Sequence, residues 1–317
     1  MTDLIPNVRT TTVEADDALA DQLRRPYNQD YTVNIHPPRR GDVHPTQTPV
    51  VKHLRSTRTA FLGFGNRSPV IAYELHRPQP DSLRLQIAVP SKRLERGYRT
   101  QLPQYADGVR FEDGSDGLPV SEEDSIGGAT WTTTRSWPYP LRTSFQAPPL
   151  NSVVATLHRH AMRDTRFVLQ ILAQPVAGHL RRYWGRKVAG WTRDELRTEQ
   201  EGVVRSRQPT RYEREQAAAV DTKSRQPQWK VSIRLVVIGG EDYTLSRAAE
   251  VGSAFSMFGN EESGQRLRMQ PLKVVRRSEI KRFAQAVANR SFGGSSAAFR
   301  VTDEELGALL SVPVRSE

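Results

Sequence analysis

The residues best suited to chemistry in this chain are arginines interleaved with aromatic rings, in a polar segment near its middle. Guanidinium groups neutralise phosphates and aromatic rings stack on bases, a combination typical of sequence-tolerant binding to single-stranded nucleic acid. We therefore predict that nucleic acid is contacted by a set of side chains in this segment: Arg181, Arg182, Tyr183, Trp184, Arg186, Lys187, Arg193, Arg205 and Arg207.

The same segment also fits a purely structural interpretation. Acidic residues lie between the arginines and can form ion pairs along a helix, namely Glu195, Glu199, Glu201, Glu213 and Glu215. They also weaken the positive field that the arginines create. A nucleic-acid-binding arm and a solvated helical arm are therefore both open interpretations of this sequence.

Two histidines offer an alternative with metal chemistry. His158 and His160 lie near Asp164, and a metal-dependent nuclease or relaxase would combine such a pair with a tyrosine nucleophile, Tyr183 or Tyr212. Two histidines separated by two positions on a helix point about 200° apart, so they do not share one ion there. The apolar periodicity of this stretch predicts a helix, which disfavours the metal site.

Nucleotide chemistry finds little support among the motifs. A P-loop needs GxxxxGK followed by Ser or Thr, and the dipeptide GK is absent from the chain. The acidic stretches SEEDS (121–125) and DEE (303–305) are explained by a loop and by the start of a helix. We therefore predict no catalytic residues, no cofactor and no metal, and a protein that is not an enzyme.

The composition is strongly basic, with a net charge of +11, a pI of about 10.2 and arginine supplying most of the 46 basic residues. Residues 151–235 hold 17 Lys and Arg against 8 Asp and Glu, an asymmetry typical of proteins that contact a polyanion. Cysteine is absent, and no apolar run reaches the ~18 residues of a membrane span. Since no secretory signal is visible either, these features predict a cytoplasmic protein, with the inner face of the cell membrane as a candidate site of peripheral association.

Apolar periodicity divides the chain into four parts. Residues 1–67 are punctuated by Pro and Gly and are predicted to form a flexible N-terminal arm. Residues 68–176 predict strands and helices in the order of a split βαβ unit, and residues 227–317 predict a second, similar set. Residues 177–226 connect them as an Arg-rich helical arm. The predicted fold is therefore α+β, with two ferredoxin-like units.

The last predicted helix has well-defined ends. Thr302 is placed as its N-cap and Glu305, three residues later, completes a capping box. Leu306 and Leu309 share one face, and Pro313 follows where the helix must end.

The order of these elements resembles the N-terminal, non-motor region of type IV secretion and conjugative DNA-transfer ATPases, over roughly residues 80–315. Three degenerate motifs recur there in the same order: a strand ending in Q…P, a segment K…P…V.IRL and a closing EEL..L…P. They are matched here by Gln170 and Pro175, by Lys223, Pro227, Val231 and Ile233–Leu235, and by Glu304, Glu305, Leu306, Leu309 and Pro313.

In that family the closing motif leads into the motor domain that carries the nucleotide site. The Walker lysine has no counterpart in this sequence, so none of the family's ATPase residues is carried over. The resemblance implies a non-catalytic accessory or assembly module of a conjugation or type IV secretion machine, whose partner is a separately encoded P-loop DNA-translocating ATPase. DNA and a second copy of the chain are further candidate partners. An alternative is a stand-alone nucleic-acid-binding protein of a plasmid or virus that acts through the Arg-rich arm.

Overall fold

The main feature of the fold is one antiparallel sheet. The structure is a computed structural model, which describes residues 9–27, 30–38, 43–60, 65–159, 162, 164–177, 187, 189–193, 210–294 and 296–314. The strands are β1 (Thr12–Glu14), β2 (Tyr31–His36), β3 (Ile71–Gln79), β4 (Ser82–Val89), β5 (Arg110–Asp113), β6 (Ser125–Thr133), β7 (Arg166–Pro175), β8 (Gln228–Ile238), β9 (Leu267–Pro271) and β10 (Phe299–Thr302). The helices are α1 (Asp17–Arg24), α2 (Thr48–Leu54), α3 (Lys92–Gln101), α4 (Leu150–Leu157), α5 (Arg211–Arg225), α6 (Thr244–Ser253), α7 (Arg277–Ala288) and α8 (Asp303–Leu309). A large sheet with helices packed against it confirms the predicted α+β class.

The sheet is built around its two most apolar strands. The strand order is β1-β6-β8-β7-β3-β4-β2-β5, with β9 on β6 and β10 on β8, and every pair is antiparallel. At the centre β7 and β8 pair along their whole lengths, from Arg166 opposite Ile238 to Pro175 opposite Trp229. Both strands are buried on both faces, as expected for nearly continuous apolar sequences.

The predicted pairing into two ferredoxin-like units is wrong. A split βαβ unit over residues 82–175 would place β4, β5, β6 and β7 together in one small sheet. Instead β4 lies between β3 and β2, whereas β6 pairs with β8 from the second predicted unit. The reason is the apolar character of β7 and β8: each needs a long neighbour on both edges, and they supply one for each other, so both sets of strands join one sheet.

The N-terminal segment is also more ordered than predicted, because residues 9–27, 30–38 and 43–60 contribute two strands and two helices. In β2 the alternating Val33 and Ile35 are buried, and the strand lies between β4 and β5. The prediction of a flexible arm over residues 1–67 is therefore wrong for these ranges. Its Pro- and Gly-rich composition limits the elements to short ones, but each of them buries apolar side chains.

Helices cover both faces of the sheet. The larger core lies on the face that presents alternate residues such as Tyr73, Leu169 and Ile233, and it is completed by side chains of α2, α3, α4, α6 and α8. The opposite face carries a smaller core, in which α1 and α7 pack on residues such as Val236 and Ile238. Within the described ranges, none of the helices combines the length and apolar character needed to cross a membrane.

The closing helix α8 is confirmed as predicted and is deeply buried. The Thr302 hydroxyl accepts a hydrogen bond from the Glu305 amide at 3.2 Å, and Glu305 accepts one from the Thr302 amide at 2.7 Å. Leu306 and Leu309 belong to the larger core. Gly307 lies so close to α2 that a Cβ there would stand 2.5 Å from the backbone nitrogen of Thr48. The helix is therefore an integral part of the core.

Candidate nucleic-acid interface

Two of the side chains predicted to contact nucleic acid, Lys187 and Arg193, belong to the described residues. The other predicted contacts lie outside them: Arg181, Arg182, Tyr183, Trp184, Arg186, Arg205 and Arg207. The structure thus shows how the ends of the Arg-rich segment are attached, at Ala177 after β7 and at Thr210 before α5.

The described part of the arm, residues 187 and 189–193, is helical and is named the arm root here. Ala189, which is 2% exposed, belongs to a small apolar cluster with Tyr139 and Val220 of α5. Trp191 is 62% exposed, and Lys187 is exposed as well. A buried alanine therefore anchors a surface that presents an indole ring and an ammonium group.

An ion pair holds the end of the arm root against α5. Arg193 Nη1 donates to Asp221 Oδ1 at 3.4 Å, and Asp221 also pairs with Arg225 at 2.7 Å through its other oxygen. Two guanidinium groups, those of Arg193 and Arg225, thus share the carboxylate of Asp221.

The helix beneath the arm root is itself fixed to the core. Lys223 of α5 is buried, and its Nζ donates to Glu305 Oε1 at 2.8 Å and to the Tyr139 carbonyl at 3.1 Å. Burial lowers the pKa of Lys223, and the negative charge of Glu305 opposes that shift. The prediction that residues 177–226 form no core element is therefore corrected for α5, whose inner face is part of the packed structure.

A second basic surface lies entirely within the described residues. It follows β9 and the start of α7 and is named the β9–α7 corner; its cations are Arg9, Arg266, Arg268, Lys273, Arg276, Arg277 and Arg282. All of them are exposed, and no carboxylate among the described residues forms an ion pair with any of them. Over residues 266–282 the sequence holds 7 Lys and Arg against 1 acidic residue, Glu279.

Strand pairing places Arg9, from the N-terminal part of the chain, next to the other cations of the corner. Arg268 lies opposite Thr132 on the edge strand β9, whose outer edge is unpaired among the described residues. Beyond β9, Thr10 and Val274 exchange backbone hydrogen bonds of 2.8 and 3.0 Å, and this antiparallel bridge places Arg9 beside Val275. The cations of the corner therefore lie along one rim of the sheet and on the helix that follows it.

A row of polar residues crosses the face of the sheet that carries α7. Each member lies opposite the next in the register of neighbouring strands, from β5 to β9: Glu112, Asn34, Gln86, Glu74, Gln170, Arg234, Thr130 and Gln270. Its central members are buried, including Glu74 and Arg234. Sequence reasoning missed this row because only the strand register assembles it.

Glu74 is the centre of the row, and both of its oxygens are engaged. Gln170 Nε2 donates to Oε1 at 2.6 Å and Gln86 Nε2 donates to Oε2 at 2.6 Å. Arg290, from the segment after α7, donates to both oxygens at 3.0 and 3.1 Å. Burial alone would raise the pKa of Glu74, but Arg290 and His76 outweigh it and hold that pKa well below its usual range.

Two buried arginines complete the network. Arg290, at a left-handed φ of 48°, also pairs with Asp116 at 2.6 Å, and the pKa of its guanidinium is raised because these carboxylates outweigh burial. Arg234 donates to Gln170 Oε1 and, at 2.7 Å, to the Ser291 carbonyl. Burial lowers the pKa of Arg234 to about 9, although the charge of Glu74 opposes the shift.

This network is suited to structure rather than to proton transfer. A general base needs a free oxygen within reach of a substrate, whereas Glu74 accepts hydrogen bonds at both oxygens and is 2% exposed. What the network does is hold the segment after α7, through Arg290 and Ser291, against the middle of the sheet.

Of the two histidines considered as metal ligands, one belongs to the described residues. His158 is exposed at the C-cap of α4, and His160 lies outside the described residues. His158 borders a pocket of about 940 Å³ at the end of β2, together with His36, Arg84, Arg110 and Glu112. Across the described ranges, no group of three or more His, Asp or Glu side chains is placed to hold a metal ion.

The whole chain was compared with known proteins. Residues 6–317 match the family DUF8128, a domain of unknown function. No match was found among curated proteins.

Proposed function

The chain belongs to the DUF8128 family, and because that membership assigns no activity, we propose a function from the arm root and the order of the motifs. The protein is a non-catalytic accessory or assembly module of a conjugation or type IV secretion-like DNA-transfer machine. It holds DNA through the Arg-rich arm, while a separately encoded P-loop DNA-translocating ATPase moves it. In this role it acts in the cytoplasm, at the inner face of the cell membrane, and a second copy of the chain is a further candidate partner.

The observation that carries the DNA contact is the exposure of Trp191 next to positive charge. An indole ring that is 62% exposed offers a face on which a base can stack. Lys187, four positions before Trp191, and Arg193, two positions after it, supply cations on the same helical stretch. Stacking on the ring and phosphate contacts to these cations together fit a single strand, whose bases are accessible.

Contacts between the three matched motifs support the resemblance from which the DNA-transfer role is proposed. Gln170 of the first motif accepts a hydrogen bond from Arg234, which lies within the second. Lys223 of the second motif forms a buried ion pair with Glu305 of the closing motif. The matched residues thus form one structural framework, as expected if the motifs preserve a shared fold.

The test replaces the exposed ring and measures binding of the full chain to single-stranded DNA. Stacking on an aromatic side chain contributes about 1–3 kcal/mol per base, so Trp191→Ala is expected to weaken binding roughly 5- to 150-fold. Tyr243→Ala is the matched control, because Tyr243 is a similarly exposed ring, 67%, on another element. If both variants bind like the wild type, or both lose affinity equally, the arm root is not the DNA contact.

A second candidate function, a stand-alone nucleic-acid-binding protein, is favoured by the β9–α7 corner, whose charge needs no motor to explain it. The two candidates differ in one measurable respect. Only the accessory module is expected to alter ATP turnover by a P-loop ATPase, whereas both are expected to bind DNA.

A further inference from the structure

We infer that the β9–α7 corner is a second DNA-binding surface, which contacts the phosphate backbone of a duplex. This inference goes beyond the proposed single-strand contact of the arm and does not rest on the motor partnership.

The first argument is electrostatic. The side chains of Lys273, Arg276 and Arg277 are exposed, and no carboxylate of the described residues neutralises them. Exposed cations that are ion-paired gain little from a new anion, whereas unpaired ones can each displace a counterion from DNA. The corner therefore holds its full charge available for phosphates.

The second argument concerns shape. Residues 266–274 follow the rim of the sheet, from the β9–β6 ladder to the bridge between Thr10 and Val274, and nine extended residues span about 30 Å. One turn of B-DNA is about 34–36 Å long. Arg266, directly before β9, continues its pairing with a hydrogen bond to Thr134, and Arg268 lies on the strand two positions later. Their side chains therefore leave the same face about 7 Å apart. The corner is thus an elongated cationic rim rather than a point site.

The third argument separates a duplex from the other polyanions. None of the corner cations is accompanied by an aromatic residue in 266–282, so this surface offers no platform for unstacked bases and contacts phosphates alone. A surface that inserts into a membrane would need several exposed apolar side chains. Within residues 266–282, Val275 is the large apolar side chain that is exposed, at 57%. Arginine dominates the corner, and its planar fork matches a phosphate bidentately.

The experiment measures the salt dependence of duplex binding by the full chain carrying Lys273→Gln, Arg276→Gln and Arg277→Gln. Each phosphate contact contributes about 0.9 to the slope of log K against log salt, so the slope should become shallower by about 2 to 3. The control carries Lys52→Gln, Arg93→Gln and Arg96→Gln, which removes equal charge from exposed positions of α2 and α3. Because its three positions lie outside the corner, it should keep a slope close to that of the wild type.

A second variant tests whether the loss in the first variant is caused only by a local disturbance at the start of α7. Arg266→Gln with Arg268→Gln, directly before and on β9, should reduce the slope by about 1 to 2 for the same reason. Trp191→Ala should leave the duplex slope unchanged, which separates the corner from the arm root. A wild-type slope in both corner variants would overturn the inference, and so would an equal loss in the control.

Vesicles containing anionic phosphatidylserine are the final comparison. The corner variants are expected to change duplex binding and to leave vesicle binding as it is in the wild type. Loss of vesicle binding with unchanged duplex binding would assign the corner to a lipid surface and overturn the inference.

Discussion

Replacing Glu74 by glutamine is expected to lower the free energy of unfolding by about 3–5 kcal/mol, because it leaves buried arginines without their shared counter-charge. Arg290 keeps Asp116 and Asp30 as partners, but both of its hydrogen bonds to Glu74 lose their charge. Arg234 loses the nearby negative group whose charge opposes the effect of burial. Urea unfolding at pH 7 measures the loss.

Glu112→Gln is the matched control, since Glu112 lies in the same row at the exposed edge of the sheet. Its pairing with His36 is solvated, so the change is expected within about 0.5 kcal/mol. The double variant Glu74→Gln with Arg290→Met should lose less stability than the sum of the two single variants, because both changes remove the same buried interaction. Equal stability of the Glu74→Gln variant and the wild type would show that the network is not what holds the segment after α7.

The Glu74→Gln variant should also change how the free energy of unfolding depends on pH in the acid range. Because the pKa of Glu74 is held well below its ordinary value of 4.5, the folded state binds fewer protons than the unfolded state in that pH range. The stability from this group is therefore complete above pH 4.5 and is lost as the pH falls through the folded pKa. The difference between wild type and variant should shrink accordingly between neutral pH and acid. A difference that grows on acidification would contradict the assignment.

Replacing Lys223 by methionine is expected to cost about 3–5 kcal/mol as well, because it leaves the carboxylate of Glu305 buried without a cation. Glu305 would retain hydrogen bonds from the Thr302 and Leu141 amides, at 2.7 and 2.6 Å, but no positive charge. Since Lys223 connects α5 to α8, the loss should appear as a cooperative decrease in stability, measured by thermal and urea unfolding.

Two further variants show whether the loss comes from the buried Lys223–Glu305 pair. Lys52→Met removes an exposed lysine from α2 and is expected to change stability by no more than about 0.5 kcal/mol. Adding Glu305→Gln to Lys223→Met should restore part of the stability, because the amide oxygen can still accept from Thr302 without a buried charge. A Lys223→Met variant as stable as Lys52→Met would show that the pair contributes nothing.

The individual elements follow closely from the sequence. The apolar runs of β7 and β8 predict buried strands, and the spacing of Thr302 and Glu305 predicts the capped start of α8. Both signals are local, because they depend on neighbouring residues or on periodicity. Strand pairing is not local, and so the order that joins β6 to β8 required the structure.

The polar row had a sequence signal that is easy to pass over. Glu74 and Arg234 each interrupt an otherwise apolar strand, and a charge in such a position requires a buried partner. Which partner it finds depends on register, and Arg290 lies more than 200 residues from Glu74. The β9–α7 corner was missed for a different reason: its arginines are divided between a short strand and a helix, and neither stretch is unusual until the fold places them along one rim.

The most direct test of the central claim measures ATP turnover by the P-loop ATPase encoded nearest to this chain, with DNA present, while the full chain is added in increasing amounts. The chain alone is expected to hydrolyse no ATP. The DNA-dependent rate of the motor is expected to change until it reaches a plateau at a fixed ratio of chain to motor. Hydrolysis by the chain alone that scales with its concentration, or a motor rate indifferent to the chain, would contradict the account.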